Sequence, residues 1–467
     1  MNRGIFLKFE KKGIEKDMSS NIYGSISYND KSYPFFLEER KVIIVGSAWE
    51  YYDNLQNIDN EVESILGVTS DNKQILFLKC RFGFSSLRQK VWFSPIGYIL
   101  SSGNVGDPYN FTFEKASFYS DALNAFYPPQ QALKTDFDLR NWDGKMTIEL
   151  KPFEETGLTF DYKECKCKLN IARYITAQNG KSDIGNINSA FSFEFNIAQP
   201  CKELPKYWLA LFDFLSFINY GTDIAFDKII LSNRREDGLF AHCADAYIFS
   251  DKEYLPRLPI NTITVGDIPL DKFGVIFSKI GDLRGNDKRL GYYFPETYRE
   301  GFRIDANRWL VRAMTFEGLF RDCYPNFKQN EKKSFCVAKE TALTALNSVD
   351  QSQMSKQEQS YFDDCKKQIE RYEGCLEEML NFIVRKYKDE LDDLLRFNQK
   401  EYHVNSNDYG NTYSNYRNKI AHGDRVPIDE KEVAVYRVLQ AAIYFMLLDG
   451  ADLGSDTLRV IAKKLFL

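Results

Sequence analysis

The hydrophobic period changes once along this 467-residue chain, and that change restricts what it can fold into. Before about residue 250, apolar residues fall in short alternating runs; after about residue 270 they recur at intervals of three and four. Alternation at two is the pattern of half-buried strands, and the three-four interval is that of amphipathic helices. The chain therefore carries a sheet-forming half followed by a helix-forming half.

In the first half, "IYGSISY" (22–28), "YPFFL" (33–37), "VWFSPIGYIL" (91–100), "FTFEKASFYS" (111–120), "KMTIELKPF" (145–153), "LTFDYKECKCKLNI" (158–171) and "FSFEFNI" (191–197) are rich in Tyr, Phe, Ile and Thr. Such residues, bounded by turn formers, predict strands. Asn29, Asp30 and Lys31 separate the first two runs, and "ESILGVTSDNKQILFLKC" (63–80) reads as a hairpin with Ser70, Asp71 and Asn72 at its tip. Many short strands in succession predict a sandwich or barrel-like sheet. "LPKYWLALFDFLSFINYG" (204–221) interrupts them as an aromatic core helix, and strand character resumes at 223–233 and 245–250.

In the second half, "DANRWLVRAMTFEGLFRDC" (305–323) carries Trp309, Leu310, Ala313, Met314, Phe316, Leu319 and Phe320 on one broad stripe. Residues 334–349, 358–395 and 429–450 continue the helical period, with polar loops expected at 328–333 and 398–411. "LPRLPINTITVGDIPLD" supplies three prolines near the change of period and marks a boundary. The fold class expected is α+β and multidomain: a β-rich domain over 1–270, a linker and connecting helix over 271–300, and an all-α bundle over 301–467.

A net charge of −5 means that any nucleic-acid site must be a local basic patch. The nine cysteines are scattered, and the Cys165/Cys167 pair lacks zinc-site spacing, so reduced, mostly buried thiols and no metal are expected. The N-terminus shows no secretory apolar core, and no run has the length of a membrane helix. A cytoplasmic protein without cofactor or membrane partner is the resulting expectation.

The stretch "NYRNKIAHGD" (415–424) holds one of the chain's three histidines. Asn411 or Thr412 reads as the N-cap of a short helix through 413–422, Gly423 as its C′ residue, and Asp429 with Glu432 as a capping box opening the next helix. His422 then falls in the last turn, where the negative end of the helix favours a protonated ring. Asn418 and His422, four apart, share a face, while Arg417 stands about 140° round and reaches the same end through its length. Two such helices meeting about a two-fold axis would line a shared cleft with both residues.

Arg-Asn-Lys-Ile-Ala-His followed by Gly resembles the R-x4-6-H signature of HEPN domains, helical bundles that are often dimeric and include many metal-independent endoribonucleases. "IYGSISYNDKSYPFFLEE" followed by "ILGVTSDNKQILFLKC" resembles the β-rich leading domain of ApeA-like anti-phage proteins. The resemblance implies an endoribonuclease of abortive-infection defence that cuts host or phage RNA, tRNA being a natural target, in a homodimer, with a phage-derived trigger of unspecified nature. Without metal, the 2′-hydroxyl attacks its own phosphodiester, which needs a base, an acid and positive charge on the phosphorane. His422 would serve as acid or base, Arg417 would grip the phosphate, Asn418 would orient either, and the product would carry a 2′,3′-cyclic phosphate. Lys419, Tyr413, Tyr416 and His403 are the candidate substrate contacts, the tyrosines by stacking on bases. The alternative is a non-catalytic HEPN module that binds a nucleotide or partner through the same residues. A metal-dependent nuclease would have to use Asp363 with Asp364 or Asp392 with Asp393, where helical charge pairs are ordinarily a solvated face. His242 reads as structural; "RGNDKR" (284–289) and "NEKK" (330–333) read as surface or phosphate contacts.

Overall fold

A computed structural model describes residues 22–28, 31–46, 61–85, 90–104, 110–129, 133–136, 147–150, 157–173, 177–178, 181–182, 187–250, 261–283, 293–325, 327, 333–371, 376–405 and 408–467. The turn at Asn29–Asp30, "RGNDKR" and most of "NEKK" lie outside the described residues. The chain divides into two compact units, Met1–Leu211 with Ile224–Pro256, and Phe212–Asp223 with Arg257–Leu467. The first is β-rich and the second all-helical, which is the expected α+β class.

The first unit begins with β1 (Tyr23–Tyr28), β2 (Lys31–Glu38), β3 (Lys41–Ile44), β4 (Glu61–Thr69), β5 (Lys73–Ser85) and β6 (Lys90–Ser94). They pair in the order β5-β4-β1-β2-β3-β6, and β6 pairs back onto β5, so six strands close a barrel. Ile26, Phe35, Val42, Ile65, Phe77, Val91 and Phe93 fill it. The β4–β5 hairpin turns at residues 70–72 as expected, with Asn72 in the left-handed region at φ +63°.

β5 changes partners at Lys79, whose φ of +44° kinks the strand. Up to Leu78 it pairs with β7 (Gly97–Asn104); from Arg81 it pairs with β6. The kink also breaks strict alternation, so Phe77 and Cys80, three apart, both face the core. The run 91–100, expected as one strand, is broken at Pro95, which has no N–H for a ladder: β6 and β7 follow one edge of β5 in a single register, while their far edges part, β6 to β3 and β7 to β17.

Beyond β7 the sheet continues through β8 (Thr112–Tyr119), β11 (Gly157–Tyr162), β12 (Cys165–Arg173), β15 (Ile187–Pro200), β16 (Lys228–Arg234) and β17 (Phe240–Ile248), in the order β7-β17-β16-β8-β15-β12-β11. The short helix α1 (Asp121–Phe126) packs on β15, and the hairpins β9 (Leu133–Asp136) with β10 (Thr147–Leu150) and β13 (Ala177–Gln178) with β14 (Lys181–Ser182) stand apart from this sheet. Helix α2 (Leu204–Asn219) is the expected aromatic core helix. In the first unit its Tyr207 meets Phe113, Phe193 and Phe195; in the second, Phe217 stacks on Tyr444 at 4.2 Å. Cys165 and Cys167 are buried on β12, and burial pushes the Cys167 thiol above its ordinary range.

The helical unit comprises α3 (Phe273–Gly281), α4 (Tyr298–Gly301), α5 (Ala306–Cys323), α6 (Lys333–Asn347), α7 (Lys356–Arg371), α8 (Leu376–Lys386), α9 (Asp392–Tyr402), α10 (Tyr409–Ala421), α11 (Glu430–Leu448) and α12 (Ser455–Phe466). The stretch 358–395 is thus divided among three helices, and the polar loop expected at 398–411 shrinks because α9 runs to Tyr402 and α10 starts at Tyr409. α11 is buried without a break from Val438 to Leu448, as a helix apolar on all sides must be. Asp429 and Glu432 form its capping box. Met314, placed on the buried stripe of α5 by periodicity, is instead exposed. Asp392 and Asp393 are held by Arg396 and Arg459, so those carboxylates are spent on surface ion pairs. Among the described residues no helix is long and apolar enough to cross a membrane.

Phe77 is fully buried in the barrel and meets Phe35 edge-on at 5.3 Å. Phe77→Ala is expected to destabilise the barrel by about 3–5 kcal/mol, seen as an earlier transition in urea unfolding followed by near-UV circular dichroism. An unshifted transition would show that the barrel interior contributes little to the fold.

Candidate functional site

Helix α10 starts one turn earlier than its capping residues predict, and packing explains why. Tyr409 is fully buried, and a Cβ on Gly410 would stand 2.5 Å from the Glu377 carbonyl oxygen and 2.6 Å from the Asn381 amide. Only glycine lets the backbone of α10 lie this close to α8, and that approach holds the first turn in helical form. At the other end Gly423 has φ +85°, the left-handed C′ position that glycine fills without strain. His422 is the C-cap residue, its backbone N–H donating to the Asn418 and Lys419 carbonyls.

One side of α10 is clamped to α5 by aromatic rings. Trp309 lies nearly parallel to Tyr413 with centroids 5.8 Å apart and meets Tyr416 edge-on at 4.9 Å, and Phe316 meets Tyr413 edge-on at 5.6 Å. The Trp309 Nε1 donates to the Glu432 carbonyl, tying the same ring to the first turn of α11. Tyr413 and Tyr416 are therefore buried, and their expected role as base-stacking contacts is corrected: they build the support of the motif helix. His403 is exposed at the C-cap of α9 with φ +54°, and nothing in the structure joins it to Arg417 or His422.

Beside this clamp lies a residue that sequence reasoning did not single out. Glu317 on α5 is 8% exposed, and its carboxylate accepts from Arg417 Nε at 3.0 Å, Arg417 Nη2 at 3.3 Å and the Tyr413 hydroxyl at 3.2 Å. Burial and the adjacent Glu317 charge push the Tyr413 phenol well above its ordinary value, so it stays a neutral donor. The signal in the sequence was a carboxylate among Trp309, Ala313, Phe316 and Phe320, a face too apolar to hold one without partners.

A guanidinium presents two forked edges. Glu317 occupies the Nε/Nη2 edge of Arg417; Nη1 leans toward Asn418 Oδ1 at 3.4 Å, and the Nη1/Nη2 edge is turned away from Glu317. Arg417 is partly exposed, while Asn418, Lys419 and His422 are exposed. The R-x4-H residues thus lie at the solvent end of one helix, the arginine anchored and the histidine without a hydrogen-bond partner for its ring among the described residues. His242, by contrast, sits exposed on β17 and pairs with Asp245 at 2.9 Å.

A family model described as ApeA N-terminal domain 1 matches residues 38–280, just over half of the chain. No curated protein and no solved structure matches.

Glu317→Ala leaves both Arg417 and Tyr413 without their acceptor and is expected to cost about 1–3 kcal/mol, with Glu317→Gln costing less because its carbonyl oxygen still accepts. Urea titration of the two variants checks this; stability equal to that of the wild type in both would show that the carboxylate does not hold the helix.

Proposed function

The chain belongs to the ApeA family of anti-phage defence proteins through its N-terminal domain, and from that premise we propose that its helical unit is a HEPN-type, metal-independent endoribonuclease. The observation that carries the reading is the pairing of an anchored arginine with an exposed histidine at one helix tip, Arg417 fixed by Glu317 and His422 open to solvent.

The chemistry follows from the groups. The Nη1/Nη2 edge of Arg417, turned away from Glu317, bonds two non-bridging oxygens of a phosphodiester and stabilises the charge of the phosphorane. His422 takes the proton of the 2′-hydroxyl or gives one to the departing 5′-oxygen. One imidazole cannot do both in a concerted step, so the second copy of His422 comes from a homodimer partner. Asn418, on the same tip, positions the phosphate, and Lys419 adds a backbone contact. RNA cut in this way ends in a 2′,3′-cyclic phosphate. The β-rich unit then restrains the nuclease or senses the infection that releases it.

A second reading draws on one specific observation. Among the described residues no carboxylate or carbonyl orients the His422 ring, whereas acid–base histidines are usually oriented by a partner. The helical unit would then hold a nucleotide or phosphorylated partner without cutting it.

Incubation of the purified protein with total RNA in EDTA separates the two. Cleavage to cyclic-phosphate ends is expected, with a fall of about 10²–10⁴-fold in His422→Ala while its circular dichroism and oligomeric state stay as in the wild type. Undiminished cleavage by that variant would remove His422 from the site, and intact RNA retained in a salt-sensitive way by the wild type would favour the binding reading.

A further inference from the structure

The exposed side of α10 carries a line of uncharged amides that ends at His422. Asn411, Asn415, Asn418 and His422 follow one another at intervals of four, three and four, and all of them are exposed. On a helix this spacing places them within an arc of about 60°, on a line about 16 Å long. The helix begins at Tyr409, which puts Asn411 inside it and frees that residue from the capping role its place in the sequence suggests. Asn415 Nδ2 donates to Asn411 Oδ1 at 2.9 Å, and neither amide makes another hydrogen bond among the described residues.

This composition works against the helix. Asparagine is a weak helix former because its amide competes for nearby backbone groups. At exposed positions, where packing does not decide, alanine, lysine and glutamate hold a helix better. Neighbouring helices follow that rule in part: α7, α8, α9, α11 and α12 each place an acidic residue in the first turn. α10 has no acidic residue from Tyr409 to Ala421, and its charges are Arg417 and Lys419. The carboxylates around it are Asp408, which accepts from the Asn405 N–H, Glu317, which Arg417 and Tyr413 occupy, and Asp424 beyond Gly423.

A face that weakens its own helix, carries no anion of its own and leads to an exposed histidine suits a polyanion whose edges can be read. An amide donates through its nitrogen and accepts through its oxygen, and so matches the paired donor and acceptor on the edge of a base. In RNA those edges are open where the strand is single and unstacked. Along the axis Asn415 stands about 10 Å and Asn411 about 16 Å from His422, within reach of the nucleotides that flank a phosphate held at Arg417. We propose that Asn411 and Asn415 determine sequence specificity: they hydrogen-bond the base edges of unstacked nucleotides beside that phosphate, while Lys419 contacts the backbone. The inference rests on the reading of the helical unit as one that acts on RNA, and it adds which residues select the nucleotides next to the cut.

The test is fluorescence anisotropy of short labelled 2′-O-methyl homo-oligonucleotides, one for each base, with the full chain. Their blocked 2′-oxygen cannot attack the phosphate, so binding is read whether or not the protein cuts RNA. The wild type is expected to bind its preferred base about tenfold tighter than its weakest. Asn411→Ala and Asn415→Ala are each expected to reduce that preference about threefold or more while leaving the salt dependence unchanged, and Lys419→Gln to weaken all probes alike. The urea midpoints of the alanine variants should equal or exceed that of the wild type, because alanine is the better helix former; lost preference is then not lost folding. Equal affinity of the wild type for every base, no binding at low salt, or an unaltered preference in the doubly substituted variant overturns the proposal. So does a change of oligomeric state with preference intact, since the amides would then join two copies of the chain. Total RNA left intact in EDTA, together with a preference that the alanine variants lose, removes the ribonuclease reading and keeps this one; cleavage with an unaltered preference does the reverse.

Discussion

Glu317 brings a carboxylate into a position where only 8% of the residue meets solvent, and three donors converge on it from one neighbouring helix. Withdrawing such a charge from water costs several kcal/mol unless its lone pairs are met. Here Arg417 and Tyr413 meet them, and they stand four apart on α10, so both lie on one face of that helix. The carboxylate therefore fixes the rotation of α10 about its own axis, and with it the directions in which Asn418, Lys419 and His422 project. Removing Arg417 would leave the Glu317 charge uncompensated, so the same arginine that is available to a phosphate also has a structural duty. Loss of activity in an arginine variant alone would not distinguish these duties, whereas the His422 ring makes no structural bond among the described residues.

Rotation is one constraint on α10 and approach is the other. Gly410 sets its distance from α8, and the Trp309 ring sets its distance from α5. Both fall on the first three turns. The last turn, with Gly423 and the loop beyond, is held by backbone hydrogen bonds and by the Asp429 capping box that starts α11. A helix clamped along its body and open at its tip presents its last residues on a rigid support, as a site that must hold a phosphate in one orientation requires.

Much of this was legible in the sequence. The change of hydrophobic period separates the two kinds of unit, the residue 70–72 hairpin tip and the aromatic helix at 204–219 stand where the pattern puts them, and Gly423 and the Asp429–Glu432 box are visible as spacing. What was hidden depends on partners distant in the chain. Closure of the barrel needs β6, which follows β5 directly, to pair also with β3 far back in the chain, and the kink at Lys79 is a backbone angle on a residue with no turn propensity. Lys41–Ile44 is too short to announce a strand, yet it joins β2 to β6. Tyr413 and Tyr416 look like surface aromatics near a basic motif until Trp309, about a hundred residues earlier, is seen to cover them. The Glu317–Arg417 pair has the same origin: each residue is ordinary in its own window.

The pairing of Gly83 with Trp92 on the outer face of the barrel belongs to a different class of feature. Inward residues of a small closed barrel are fixed by volume, and Ile26, Phe77 and Phe93 are fully or almost fully buried accordingly. Outward residues are constrained mainly by solubility. Gly83 sharpens the contrast. Glycine inside a strand weakens it by leaving nothing to pack and by raising the entropy of the unfolded chain. At this position the vacated space is filled by the indole of a cross-strand neighbour, which recovers part of the lost packing and fixes the ring over the strand. The same apolar area could have been buried by an alanine or valine at 83 and a smaller residue at 92, without presenting an aromatic surface to solvent.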